Sequence, residues 1–386
     1  MNYAGARLAP EPSLERKRAA QGSIDLPFAA LTLLLLTIGV VMVLSASYAR
    51  AYYSASTGHN AAYYFLRQLG FAIAGTAAMF VMSRIPMSFY RRMSFPLLAV
   101  SLVLLAVVPF IGAAQGDARR WIDLGFTTFQ PSEIAKLAVI LYFAALICKY
   151  KSDMATFRYG ILPFALVLGL IVGLLVLEPH FSAAIIIIAI GGVMLFLGGV
   201  KLRWFIGVGV TALAGLAVII TFFPYASGRI STWLDPFANT SGDGYQIVQS
   251  LYSIGSGGLF GLGLGQGRQT YMYLPEEHND FIFAVVCEEL GFAGAVAILL
   301  LFAALIVRGY ILAMHMRDRY SFLVTAGITT LLAIQVILNV AVVTNLVPCT
   351  GISLPFFSYG GTALMIQLAE MGIVLSASRD IPAWRS

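Results

Sequence analysis

The densest chemistry in this sequence is Leu274-Pro275-Glu276-Glu277-His278-Asn279-Asp280, where ionisable side chains crowd together just before an apolar run. Asn279 or Asp280 makes a good N-cap for the helix that follows, but capping leaves Glu276, Glu277 and His278 unexplained. Carboxylates gathered in this way suit acid–base work. His278 and Asp280 are also metal-ligating types, yet no second histidine cluster supports a metal site. A second group begins with Arg119, Arg120 and Trp121 and continues with Glu133 and Lys136. Glu133 and Lys136 lie three apart and so share one helix face, as an inert ion pair or as a functional one. Glu288, Glu289 and Glu370 are the other acids within apolar surroundings. Adjacent Glu288 and Glu289 point to different helix faces, so one of them is expected to hydrogen-bond between helices.

Glycine recurs at 255, 257, 258, 261, 263, 265 and 267. No Lys-Ser/Thr follows, so a nucleotide loop is disfavoured, and close backbone approach to a sugar or phosphate is the better reading. Ser358-Tyr359-Gly360-Gly361 invites the same reading, because the N-terminus of the helix after it favours an anion. Tight backbone packing is the alternative for both segments.

The elements that position these residues are membrane helices. Of 386 residues, 59% are hydrophobic and 11% charged, against about 25% charged in ordinary soluble domains. The mean hydropathy is +0.86. These values exclude a soluble enzyme, a disordered chain and a nucleic-acid binder. Cys148, Cys287 and Cys349 are widely separated and indicate neither a disulfide framework nor a zinc site.

Apolar runs long enough to cross a bilayer lie near 27–47, 63–83, 94–112, 132–149, 160–177, 181–200, 204–223, 281–307, 320–344 and 359–378. The fold class is therefore an all-α integral membrane protein of ten spans. Glu178-Pro179-His180 separates the fifth from the sixth as two short helices rather than one kinked one. Arg16, Lys17 and Arg18 before the first run, with Ser45-Ala46-Ser47 after it, imitate a signal peptide. The run exceeds the ~7–15 residues of a signal core and reads as a retained helix. With both termini cytoplasmic, every short inner loop is basic, as membrane sidedness requires. The expected organisation is a tail at 1–23, a membrane domain at 24–380 and a tail at 381–386. The outer face carries the loop 113–131 and a long ordered loop at 224–280, between spans seven and eight. Tyr48, Tyr52, Tyr53, Tyr63 and Tyr64 read as an interfacial aromatic belt. Carboxylates, arginines and glycine-rich backbone at the outer surface suit a lipid-linked pyrophosphate, for a transferase and a flippase alike.

Several stretches closely resemble the SEDS family (shape, elongation, division and sporulation). They are Gly116 to Ile122 with Gln130 to Leu137; Gly244-Tyr245-Gln246 with Gln249-Ser250 and Ile254 to Gly261; Leu274-Pro275-Glu276 with His278 and Asp280 to Ala284; Glu288 to Gly291; and Leu354-Pro355-Phe356 with Ser358 to Gly361. The resemblance runs from about residue 25 to 380. It implies a peptidoglycan glycosyltransferase that polymerises lipid II outside the cytoplasmic membrane, in partnership with a class B penicillin-binding protein and other divisome membrane proteins. It also implies that Asp280, Glu133 and Trp121 are the essential residues. Residues 274–280 and 348–355 are more similar to the FtsW and sporulation branches than to RodA, so septal synthesis is the expected role, with an elongation or sporulation polymerase as the alternative. Two positions depart from the pattern: His180 stands where the family commonly has aspartate, and Asn279 where threonine is usual.

Transfer of a glycan from its lipid pyrophosphate needs a base for the acceptor hydroxyl and cations for the leaving group. Asp280 is the expected base. Lys136, Arg119, Arg120, Arg229 and Arg268 are the expected phosphate-binding residues, with Glu276, His278 and Ser358 completing the substrate site. Arg50 and Arg67 lie outside the matched motifs and are left out. A divalent cation, magnesium or manganese, is compatible with the pyrophosphate, but no dedicated ligand set is visible. A helix N-terminus would weaken Asp280 as a base, while nearby Glu276 and Glu277 would strengthen it. A flippase with Glu133 and Lys136 along its path, and a non-catalytic divisome scaffold, remain open beside the polymerase.

Overall fold

A computed structural model describes residues 22–115, 118–125, 127–205, 207, 224–240, 242 and 244–381. The first helix, α1 (Leu26–Tyr53), starts where Asp25 accepts the Phe28 N–H at 2.8 Å and Pro27 occupies the first turn, whose N–H groups have no helical partner. It is followed by α2 (Tyr63–Met82) and α3 (Met87–Ile111). A small antiparallel sheet then forms in the order β1 (Ala113–Gln115), β2 (Ala118–Asp123), β3 (Thr128–Phe129). Helix α4 (Pro131–Tyr150) opens on a proline. A single turn at Phe157–Gly160 leads into α5 (Leu162–Leu177), and α6 (Phe181–Leu197) follows the expected break at residues 178–180. The segment from 224 to 281 contains α7 (Pro224–Leu234) and α8 (Tyr245–Ser256), and α9 (Ile282–His315), α10 (Arg319–Val343) and α11 (Gly361–Ser378) follow.

Eight of the described helical segments are long and apolar enough to cross a membrane, and α6, at 17 residues, is a shorter apolar helix. They match nine of the expected runs closely. The remaining one, 204–223, lies outside the described residues except at 204, 205 and 207, as do most of both terminal tails. Strands in the loop at 113–131 are an addition to the all-helical expectation.

Helix α4 is the most enclosed, packing against α3, α6 and α10 with Phe143, Ala144 and Ile147 fully buried. Helix α11 packs along α2, and α9 lies against α1 and α10. Helices α2 and α3 expose Ile73, Val81, Phe95 and Val103, side chains suited to lipid contact. Arg308 of α9 forms two hydrogen bonds to the Asp25 carboxylate and so pins the start of α1. Asp318 caps α10 through the Ser321 N–H at 3.1 Å.

Helix α9 is interrupted at Gly291 (φ 68°, ψ −171°). The glycine-rich segment plugs into this break. Leu262 and Gly263 donate N–H groups to the Glu288 and Glu289 carbonyls at 3.0 Å, while Phe292 and Ala293 donate to Gly258 and Leu259 at 2.9 and 3.0 Å. Backbone freed by the break is thereby satisfied within the protein, as membrane depth demands. A β-carbon at Gly257 or Gly261 would overlap the carbonyl of Cys287 or Glu289. These glycines serve close backbone packing, which corrects the expectation that they approach a sugar or phosphate.

Candidate functional site

A cleft of about 580 Å³ is lined by Arg50, Tyr64, Arg120, Trp121, Glu276, His278 and Asn279. Its volume falls within the range of about 300–1,000 Å³ usual for small-ligand sites. One wall is β2, held in register on both sides by Ala113 opposite Trp121 and Ile122 opposite Phe129. The other is the turn-rich stretch at 274–281.

That stretch is clasped from below. Ser358 Oγ donates to the Asn279 carbonyl at 2.8 Å and accepts the Leu354 N–H at 2.7 Å, and Tyr359 N–H donates to the His278 carbonyl at 2.8 Å. Asn339 Nδ2 donates to the carbonyls of Asp280 at 2.8 Å and Ile352 at 2.6 Å. The His278 ring sits 4.7 Å from Tyr64 and 5.7 Å from Tyr359. Tyr64 therefore belongs to the cleft and not to an aromatic belt, whereas Tyr48, Tyr52 and Tyr53 are exposed as the belt reading requires.

Asp280 immediately precedes α9 but does not cap it. The N-cap is Phe281, and no side chain caps there, which corrects the expectation for Asn279 and Asp280. The Asn279 amide donates instead to the Glu276 carboxylate. Freed from the helix end, the Asp280 carboxyl is pushed up to about 6, by burial first and by the charge of Glu276 second, with Arg120 and His278 opposing. Burial and the neighbouring acid prevail over any stabilisation of the carboxylate by the helix.

Arg120 reaches from β2 to the α5–α6 junction, where Nη2 donates to the Pro179 carbonyl. Burial raises Glu178 to about 8 and lowers His180 to about 3, so both are neutral near pH 7. The His180 ring lies 3.3 Å from the Gln130 amide nitrogen. The junction thus offers Arg120 a carbonyl dipole and no carboxylate charge.

The remaining expected residues are dispersed. Arg119 is exposed and donates to the Pro109 carbonyl at the end of α3. Glu133 and Lys136 form a buried ion pair at 2.7 Å within α4, with Glu370 of α11 interacting electrostatically with both, away from the cleft lining. Arg268 is exposed on the glycine-rich segment, its N–H bound to Glu288 Oε1 at 2.8 Å. The hydroxyl of Ser358 is committed to the clasp. Arg229 falls in α7 with its side chain outside those described. Glu288 accepts from Ser253, Arg268 and Gln269 in the segment before α9, whereas Glu289 accepts from Ser45 of α1. Among the described residues no three metal-ligating side chains gather.

Arg50 and Tyr64 enter the site without motif signals. Arg50 is bound by the Glu277 carboxylate at 2.6 and 2.7 Å. The available signal was its place in the last turn of the first long apolar helix.

Residues 26–381 match the FtsW/RodA/SpoVE family, described as cell cycle protein. The chain belongs to this family. It is 40% identical to stage V sporulation protein E of Bacillus subtilis (strain 168), over 92% of this chain and 97% of that protein. It is equally 40% identical to a probable peptidoglycan glycosyltransferase FtsW of Trichlorobacter lovleyi, over 95% and 96% of the two chains. Among solved structures, a chain of a peptidoglycan synthase complex coordinating polymerization and crosslinking superposes with a TM-score of 0.77 at 28% identity, covering 92% of this chain and 98% of that one. The rod shape determining protein RodA of Thermus thermophilus gives 0.68 at 29% identity, covering 93% and 97%.

Proposed function

We propose that this chain is a peptidoglycan glycosyltransferase that polymerises lipid II at the outer face of the bacterial cytoplasmic membrane, for septal wall synthesis during division. The reading is supported by family membership and by relatives named for that activity. The observation that carries it is Asp280: a carboxyl pushed up to about 6 beside a cleft lined by an arginine and a tryptophan is matched to base catalysis near neutrality.

In this reading Asp280 takes the proton of the acceptor hydroxyl as that oxygen attacks the donor sugar. The bond from the sugar to the lipid diphosphate breaks, and Arg120 meets the charge that develops on the leaving group. Trp121 presents a ring to the sugars. Glu276 keeps the Asp280 carboxyl high, and His278 orders the loop between Tyr64 and Tyr359. A divalent cation on the diphosphate would offset its charge, but no dedicated set of protein ligands for one gathers among the described residues.

The same proposal includes ten spans with cytoplasmic termini, tails at 1–23 and 381–386 around a membrane domain at 24–380, and an outer loop at 224–280. It also includes a class B penicillin-binding protein as partner, supported by similarity to a chain of a synthase complex that couples polymerization to crosslinking.

The test supplies lipid II to the purified chain with its cognate class B penicillin-binding protein and compares glycan length with that of Asp280→Asn. Long glycan from wild type and none from an equally folded variant is the expected result. Undiminished glycan from the variant would remove Asp280 from the mechanism. No glycan from either would favour a flippase or a scaffold.

A further inference from the structure

Glu277 has no exposed surface, and its carboxylate holds Arg50 through Nε at 2.6 Å and Nη2 at 2.7 Å. Burial alone would raise its pKa, but the contacts with His278 and Arg50 prevail and hold the carboxyl below its ordinary value. The anion is fixed, and it fixes the guanidinium in turn.

A pair that only tied α1 to the outer loop would gain most by burying both partners. The Arg50 side chain instead stays 33% exposed and forms part of the cleft wall. Its two bonds to Glu277 use Nε and Nη2 and leave Nη1 for a further acceptor. Arg120 enters the same cleft from β2, anchored by the Pro179 carbonyl. Two guanidinium groups thus come from separate elements, each held from behind, into one space bounded also by Trp121. Glu276 and Asp280 bring negative charge to this space and Glu277 offsets the charge of Arg50 from behind, so an entering diphosphate is held by aimed guanidinium donors and not by a net positive field.

Resting on the glycosyltransferase reading, we propose that Arg50 binds the diphosphate of the lipid-linked donor opposite Arg120, and that Glu277 is the residue that positions it. Guanidinium is suited to this because its planar donors match phosphate oxygens, and a diphosphate offers acceptors to two such groups at once.

The experiment uses the full chain in lipid nanodiscs and measures binding of farnesyl diphosphate, farnesyl monophosphate and inorganic pyrophosphate, with the melting temperature recorded for each variant. Arg50→Gln is expected to weaken farnesyl diphosphate by about tenfold or more, the loss typical of a charge-assisted hydrogen bond, and the monophosphate by less. The exchange of Arg50→Glu with Glu277→Arg preserves an ion pair between α1 and the loop. It is expected to restore the melting temperature without restoring diphosphate affinity. Arg50→Lys keeps the charge and is expected to fold while losing preference for diphosphate over monophosphate.

Equal binding by Arg50→Gln and wild type would overturn the role of Arg50, as would recovery of affinity in the exchanged pair or an unchanged preference in Arg50→Lys. A wild-type chain that binds neither farnesyl diphosphate nor pyrophosphate would overturn the donor-site reading itself, and the Arg50 assignment with it. Binding of pyrophosphate and farnesyl diphosphate with the same Arg50 dependence would place recognition in the diphosphate, as proposed. Dependence seen only with the prenyl chain attached would move Arg50 away from the phosphates and overturn the assignment.

Discussion

A β-carbon placed on Gly351 would lie 3.1 Å from Asp280 Oδ2. Gly351 also has φ +65°, a conformation that costs other residues about 1–2 kcal/mol. One glycine therefore both takes a left-handed backbone conformation and leaves room for the carboxyl proposed as the base. Gly351→Ala is expected to lower the melting temperature by a few degrees, consistent with that strain, and to reduce glycan synthesis by about tenfold or more, because misplacing a catalytic group is costly. Measuring both on one preparation checks this. Loss of stability with full activity would show that the base tolerates displacement.

The titration of Asp280 sets a pH window. The carboxyl must be ionised to accept a proton, so polymerisation is expected to fall about tenfold per unit as pH drops below about 6. Glu276 and burial raise this limb, and Arg120 and His278 lower it; Glu276→Gln should therefore shift the limb to lower pH. Stability runs the other way. A carboxyl whose pKa is raised in the folded state favours folding when protonated and loses that contribution as pH rises through about 6. Asp280→Asn should thus melt like wild type below about pH 4 and exceed it at pH 8, by at most about 2–3 kcal/mol. A pH–rate profile and melting curves at the two extremes provide the check.

The helices were legible because about twenty apolar residues in a row have few alternatives to a membrane span. Asp280, Arg120, Trp121, Glu276 and His278 were legible because they stand within long motifs, and the structure brings them to one region. Arg50 and Tyr64 were not: each stands alone in the sequence, and only packing of α1 and α2 against the loop at 274–280 reveals them. The purpose of the glycines at 257 and 261 was hidden for a related reason. Their partner is a break at Gly291, and a residue that reads as one more helical glycine gives no sign of unwinding. The strands around Trp121 are too short for a period of two to stand out.

Glu288 is expected to be the main clasp of the outer segment. It has no exposed surface and accepts from Ser253 Oγ at 3.3 Å, Ser256 Oγ at 3.4 Å and the N–H groups of Arg268 and Gln269 at 2.8 and 3.3 Å. Ser253 and Ser256 have the Ala284 and Ser253 carbonyls as other acceptors, so Glu288→Ala strands chiefly the N–H groups of Arg268 and Gln269, and each buried donor left unmade costs about 1–3 kcal/mol. The variant should lose several degrees of melting temperature and become susceptible to protease between residues 255 and 270, whereas Glu288→Gln, which keeps one acceptor, should lose less. Equal protection in wild type and Glu288→Ala would show that the backbone bonds across Gly291 suffice.

The ion pair inside α4 separates a structural role from a catalytic one. Lys136 is 2.7 Å from Glu133, both are buried, and Glu370 adds a second acid within electrostatic reach. Lys136→Met leaves those acids without their cation, and breaking a buried pair from one side costs about 3–5 kcal/mol. Glu133→Gln alone leaves Lys136 with Glu370 and should cost less. The double variant Glu133→Gln, Lys136→Met removes the charges together, so it should melt above Lys136→Met, giving a favourable coupling in a double-mutant cycle. Activity then decides the role. If the pair only supports packing, the double variant should regain glycan synthesis along with stability. If Lys136 meets the donor during transfer, stability should return while synthesis stays low, because no cation has been put back.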